Sequence, residues 1–107
     1  MRMGTKQKTE AVKFLEGLIG KPLSFGGLTS AIRMGEDMSQ VSFSKKLRIS
    51  KAHLCDIEKG RRSVSAVRAA KFAKILGYSP ERFVKVAIQD ELDKAKLGLI
   101  VEIKEVA

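Results

Sequence analysis

The chain has 107 residues, a hydrophobic fraction of 44% with no tryptophan, and a net charge of +9 from 21 Lys/Arg against 12 Asp/Glu. That length fits one domain with a short arm at either end, and the core must be aliphatic with a few phenylalanines. The charge favours an anionic partner. Nucleic acid is preferred to a membrane, because no apolar run approaches the roughly 18 residues needed to span and no basic helix has a bulky apolar face.

Residues 1–8 are polar and cationic. Thr9 opens a helix to about Ile19, with Val12, Phe14, Leu15, Leu18 and Ile19 as its apolar side, and Gly20-Lys21-Pro22 ends it. Residues 1–23 are thus an N-terminal arm with one helix, either a brace on the next domain or part of a dimer contact. Ser24 caps a second helix that reaches about Glu36, with Leu28, Ala31 and Ile32 inward and Met38 closing over its end. Gly26, Gly27 and Gly35 lower its intrinsic propensity, so tertiary packing must hold it. Gly26-Gly27 lacks the spacing of a phosphate loop and reads as room for close helix packing.

The stretch from Ser39 to Arg62 organises the rest. Ser39 caps a short helix whose Phe43 and Leu47 lie four apart on one face, with the small Ser44 between them. The pattern breaks at Arg48-Ile49, and Ser50 caps a further helix with Leu54 and Ile57 inward. Gly60 stops that helix, and Arg61 and Arg62 follow. Two helices of about two turns each, joined by a tight turn, form a helix-turn-helix. From Met38 to Arg62 seven Lys/Arg face two Asp/Glu. Such a concentration on a short helix pair is the electrostatic footprint of a duplex binder.

Ser63 or Ser65 caps the next helix, in which Ala69, Phe72, Ala73 and Leu76 form a buried stripe. Its small alanines suggest close approach of the first helix of the helix-turn-helix pair. Gly77 stops it. Ser79-Pro80-Glu81 then starts a last helix, presenting Phe83, Val86, Ala87 and Leu92 and running to about Lys96. After Gly98, Leu99, Val101 and Ile103 alternate with Ile100, Glu102 and Lys104, which reads as a β-strand. A lone strand leaves its own backbone groups unpaired, so residues 98–107 are expected to pair across a two-fold axis as a dimer contact, the alternative being a tail that lies loosely on its own domain.

The lone Cys55 forms no internal disulfide, in keeping with a reducing compartment. The start MRMGTKQKTE lacks the apolar region of a secretory signal, which predicts a cytoplasmic protein. His53 and Cys55, two apart on a helix, point in different directions and have no further ligands at metal spacing, so no metal or other cofactor is expected. No nucleophile–base pair, paired carboxylates or phosphate-binding glycine loop is recognisable, so the chain does not read as an enzyme.

Ser39-Gln40, Phe43-Ser44, Leu47, Ile49-Ser50 and above all Ile57-Glu58-Lys59-Gly60-Arg61-Arg62 resemble the DNA-binding unit of the Xre/Cro family, which includes the lambda-type repressors and many antitoxins. The likeness spans roughly Leu28 to Val84. It implies an all-α, five-helix lambda-repressor-like domain over residues 24–97, to which this chain adds the N-terminal helix and the C-terminal strand. One departure is Arg48, where the family usually has glycine in the left-handed position that ends the first helix of the pair. The resemblance also implies an ion pair between Arg33 and Glu58, and the second helix of the pair in the major groove. On that basis Gln40, Lys51, Ala52, His53 and Asp56 are the candidate base contacts. Lys51 suits guanine O6/N7, Ala52 a thymine methyl and Asp56 cytosine N4. Lys45, Ser50, Lys59, Arg61 and Arg62 are the candidate phosphate contacts. The expected function is a sequence-specific repressor that binds an inverted repeat of double-stranded DNA as a homodimer. The alternative is an antitoxin that neutralises a partner toxin and represses its own operon.

Overall fold

The computed structural model describes residues 24–106, so the helix expected between Thr9 and Ile19 lies outside the described residues. Among the described residues there are five helices: α1 (Phe25–Gly35), α2 (Gln40–Leu47), α3 (Lys51–Glu58), α4 (Ala66–Leu76) and α5 (Pro80–Lys94). Serine precedes every one. The hydroxyls of Ser24, Ser39, Ser50 and Ser65 each accept from the backbone N–H three residues on, at 3.0–3.2 Å. Each such bond satisfies one of the helix's orphan donors and is worth about 1 kcal/mol. Ser79 makes no side-chain cap bond; there Pro80 presets the first helical φ.

The helices also end alike. A residue in the left-handed region follows each: Asp37 (φ 57°), Arg48 (φ 64°), Gly60 (φ 77°), Gly77 (φ 82°) and Lys96 (φ 56°). In α3, Gly60 N–H donates to Ile57 O at 3.1 Å and Arg61 N–H to Asp56 O at 2.8 Å, the paired bonds of a Schellman closure. In α2 the same closure is built on Arg48, with Ile49 N–H donating to Ser44 O at 3.0 Å.

Phe25, Leu28 and Ile32 of α1, Phe43 and Leu47 of α2, Leu54 and Ile57 of α3, Ala69, Phe72, Ala73 and Leu76 of α4, and Phe83 and Ala87 of α5 form one core, with Val64 filling the loop before α4. Phe25 meets Phe83 edge to face, with ring centroids 5.9 Å apart, which ties the start of α1 to α5. Contrary to the sequence expectation, α4 packs chiefly on α5 and only secondarily on α2. The short link through Gly77 and Tyr78 folds α5 directly back on its predecessor. Gly26 lets α1 cross the end of α3, because a Cβ there would run into the carbonyl oxygens of Ile57 and Glu58, the latter at 2.9 Å.

The expected C-terminal strand is not formed: among the described residues there is no β-strand. A strand requires a ladder partner, and this segment finds a side chain instead. Gln89 of α5 donates through Nε2 to Leu99 O at 2.9 Å and accepts at Oε1 from Val101 N–H at 2.8 Å. Val101 and Ile103 are half-buried while Leu99, Ile100, Glu102 and Lys104 are exposed, so from Val101 on the two-residue alternation describes a tail lying on its own domain. No helix among the described residues is long and apolar enough to cross a membrane.

Candidate nucleic-acid interface

The relation between α2 and α3 is set by one carboxylate. Glu58, in the last turn of α3, accepts from Arg33 Nε at 2.8 Å and Nη2 at 3.1 Å, and from Gln40 Nε2 at 3.0 Å. Arg33 Nη1 also donates to Met38 O at 3.0 Å. The end of α3, the start of α2 and the last turns of α1 therefore meet at a single group. Acid at a helix C-terminus is unfavourable against the helix dipole, and the bidentate guanidinium offsets that. The hydrogen bonds that Arg33 donates to Glu58, opposed by desolvation, raise the pKa of Arg33. The side chains retain only 17% and 6% of their exposure, which makes this an internal brace and removes Glu58 from any role at the surface.

Leu54 and Ile57 hold α3 to the core; Ala52 stands exposed on the opposite side and Lys51 exposed on the flank of its first turn, with His53, Cys55 and Asp56 half-exposed. Gln40 lies at the start of α2, half-buried; Glu58 fixes its amide and leaves one Nε2 hydrogen and the Oε1 acceptor for an external partner. Asp56 Oδ1 accepts from Arg61 Nε at 3.1 Å, so a cytosine amino group would share this carboxylate with Arg61. Ser50 is exposed, its oxygen occupied by the cap bond to His53 N–H, and its hydroxyl hydrogen remains a donor. Lys45, Lys59 and Arg62 are exposed on the approaches to α3.

Partial burial lowers the His53 pKa below its ordinary 6.5, the charges of Arg62 and Arg68 lower it further, and Asp56 opposes them. At neutral pH the ring is uncharged, with one nitrogen a donor and the other an acceptor. Arg68, on α4, belongs to this surface but not to the sequence-derived candidates. Its guanidinium Nη1 lies 3.4 Å from both His53 ring nitrogens. The only sequence signal for it is a cation three residues beyond the Ser65 cap, outside the buried stripe of α4. Among the described residues no group of three or more His, Cys, Asp or Glu is gathered as metal ligands.

Short buried faces thus hold an exposed helix that is polar outward, flanked by cations and capped by a serine hydroxyl. Such a surface can donate to phosphates and reach base edges. The family model described as helix-turn-helix matches residues 30–83, just over half of the chain. No curated protein and no solved structure matches the chain with significance. The matched segment runs from the middle of α1 into α5 and contains the α2–turn–α3 unit whole, and the family is a DNA-binding fold rather than an enzyme family. The chain belongs to the helix-turn-helix family of the Xre and lambda-repressor type, and is a DNA-binding transcription regulator of that type.

Proposed function

We propose that the protein is a repressor that binds an inverted repeat of double-stranded DNA as a homodimer, with α3 in the major groove. The observation that carries this reading is the outward presentation of Lys51 and Ala52 on a helix braced from behind by Arg33, Gln40 and Glu58. Lys51 donates to guanine, Ala52 packs on a thymine methyl, and His53 and Asp56 supply an adjacent donor–acceptor edge. Gln40 approaches from the start of α2. Lys45, Ser50, Lys59, Arg61 and Arg62 hold the backbone and set the register without reading sequence. A single eight-residue reading helix binds weakly, and two of them spaced about one duplex turn, roughly 34 Å, give specificity through a shared site.

Binding-site selection followed by affinity measurements over a range of salt tests the reading. With about four phosphates neutralised per subunit, the log–log salt slope of a dimer is near −7. Lys51→Ala relaxes the preference at one base position per half-site, whereas Arg62→Ala weakens all duplexes alike. Equal and uniform losses from both variants would remove Lys51 from the base-reading role. Failure of the intact protein to bind any duplex in dilute salt would end the proposal.

A further inference from the structure

The contact between His53 and Arg68 joins two elements that a helix-turn-helix alone does not connect. Arg68 Nη1 is equidistant, at 3.4 Å, from Nδ1 and Nε2 of the imidazole. An in-plane approach equidistant from the two nitrogens would collide with Cε1, the carbon between them, so the guanidinium nitrogen sits over the ring face. Arginine suits this because its weakly hydrated planar group stacks on a flat ring while its N–H donors stay available at the edge. Among the described residues no carboxylate pairs with Arg68. Arg68 also walls a groove of about 590 Å³ between the α2–α3 turn and α4. The other charged residues lining that groove are Arg48, Lys71 and Lys74, and all are cations.

We propose that Arg68 is a DNA-backbone contact positioned by the His53 ring, so that α4 extends the interface over the phosphates beside the bases that α3 reads. The ligand is a phosphodiester oxygen of duplex DNA. A cation without a carboxylate partner among the described residues, next to α3 and in a groove whose charged lining there is all positive, is the arrangement that counterion release rewards. His53 then has two tasks: one face carries Arg68, and its ring edge remains on the outward side of α3. The inference rests on the DNA-binding reading above, and its test separates the two.

The test uses the full chain and one selected duplex, with affinities measured over a range of salt for the wild type, Lys51→Ala, Arg68→Ala, Arg68→Lys, His53→Ala and the His53→Ala/Arg68→Ala double variant. Thermal melts accompany each to show that the fold is kept. Arg68→Ala is expected to bind about tenfold more weakly at ordinary salt, with the salt slope shallower by about one. Arg68→Lys keeps the slope but not the full affinity, because an ammonium group has no planar face to lay on the ring. In the double-variant cycle the losses fall short of multiplying by at least about threefold, the mark of residues acting through contact. If Arg68→Ala changes neither affinity nor slope while Lys51→Ala weakens binding, the inference fails and the DNA-binding reading stands. If Arg68→Ala weakens binding but the two losses multiply, His53 does not position Arg68 and that half of the inference fails. If the wild type binds no duplex, both fall together.

Discussion

Arg48 offers the most direct test of how the α2–α3 turn is built. Its backbone sits at φ 64°, ψ 40°, inside the left-handed region, and the Schellman closure of α2 depends on it staying there. In that conformation a β-carbon crowds the following carbonyl, at a cost of about 1–2 kcal/mol relative to glycine. Glycine at the same place gives back part of this by loosening the unfolded chain, about 0.4–1 kcal/mol. Arg48→Gly should therefore stabilise the domain by about 0.5–1 kcal/mol, which for a domain of this size raises the Tm by about 2–8 °C. Arg48→Ala is the necessary companion: it removes the same positive charge but keeps the β-carbon. Denaturant and thermal unfolding of the three proteins side by side decide the matter. If the alanine variant gains as much as the glycine variant, the gain comes from relieved charge repulsion and not from the backbone. If glycine is neutral or harmful, the strain assigned to this turn is absent.

Gly26→Ala should destabilise by about 1–3 kcal/mol despite alanine's better helix propensity, because α1 must back away from the end of α3. Gly35→Ala, where a β-carbon meets nothing, should gain up to about 1 kcal/mol, so unfolding of the two variants gives opposite signs. Arg33→Ala should cost about 2–4 kcal/mol, the lower end reflecting residual solvent at the guanidinium, and should loosen Gln40 as well, visible as lost duplex affinity beyond the loss of stability. Ser50→Ala should cost about 1 kcal/mol by removing the cap of α3, as read by urea unfolding. The His53 pKa is lowered on folding, so between its ordinary 6.5 and the lower folded value the unfolded chain holds a proton that the folded one lacks. The contribution of His53 is thus full above 6.5 and is lost as pH falls through that window. NMR titration of the lone histidine should show its pKa rising toward 6.5 in Arg68→Ala, and an unchanged value would remove Arg68 from the causes of the shift.

Helix beginnings were legible because capping is local chemistry: a serine ahead of an apolar period is visible wherever it occurs, and all five described helices have one. Helix ends were less so. Gly60 and Gly77 announce theirs, but Asp37, Arg48 and Lys96 adopt the same backbone without the residue that marks it, and only the family resemblance drew attention to Arg48. Phe25 continues the stripe of Leu28 and Ile32 back to the first residue of α1, though two glycines beside it hide the pattern, and Val64, in a loop, fills the core from outside any helical period. At the C-terminus the alternation describes how side chains divide between two sides only from Val101 to Lys104. It says nothing of what satisfies the backbone, and the amide of Gln89 does that for Leu99 and Val101. The basic character of the reading surface followed from counting charges. The couplings of Gln40 to Glu58, Asp56 to Arg61 and His53 to Arg68 depend on how the helices and the loop after α3 are set against one another, a distance that no spacing within one element encodes.

The gathering of Arg33 and Gln40 around Glu58, with Arg33 also donating to the Met38 carbonyl, determines how the molecule comes apart as well. Freeing α3 means breaking ties to α1 and α2 in the same event, so amide protons in these three helices should exchange with solvent as one cooperative unit, near the global unfolding limit. The segment beyond Lys96, held through the side chain of Gln89, should exchange far earlier. If α3 is the helix that docks on DNA, one that opens only when its neighbours do is almost always in its docking shape, and little ordering entropy remains to be lost on binding.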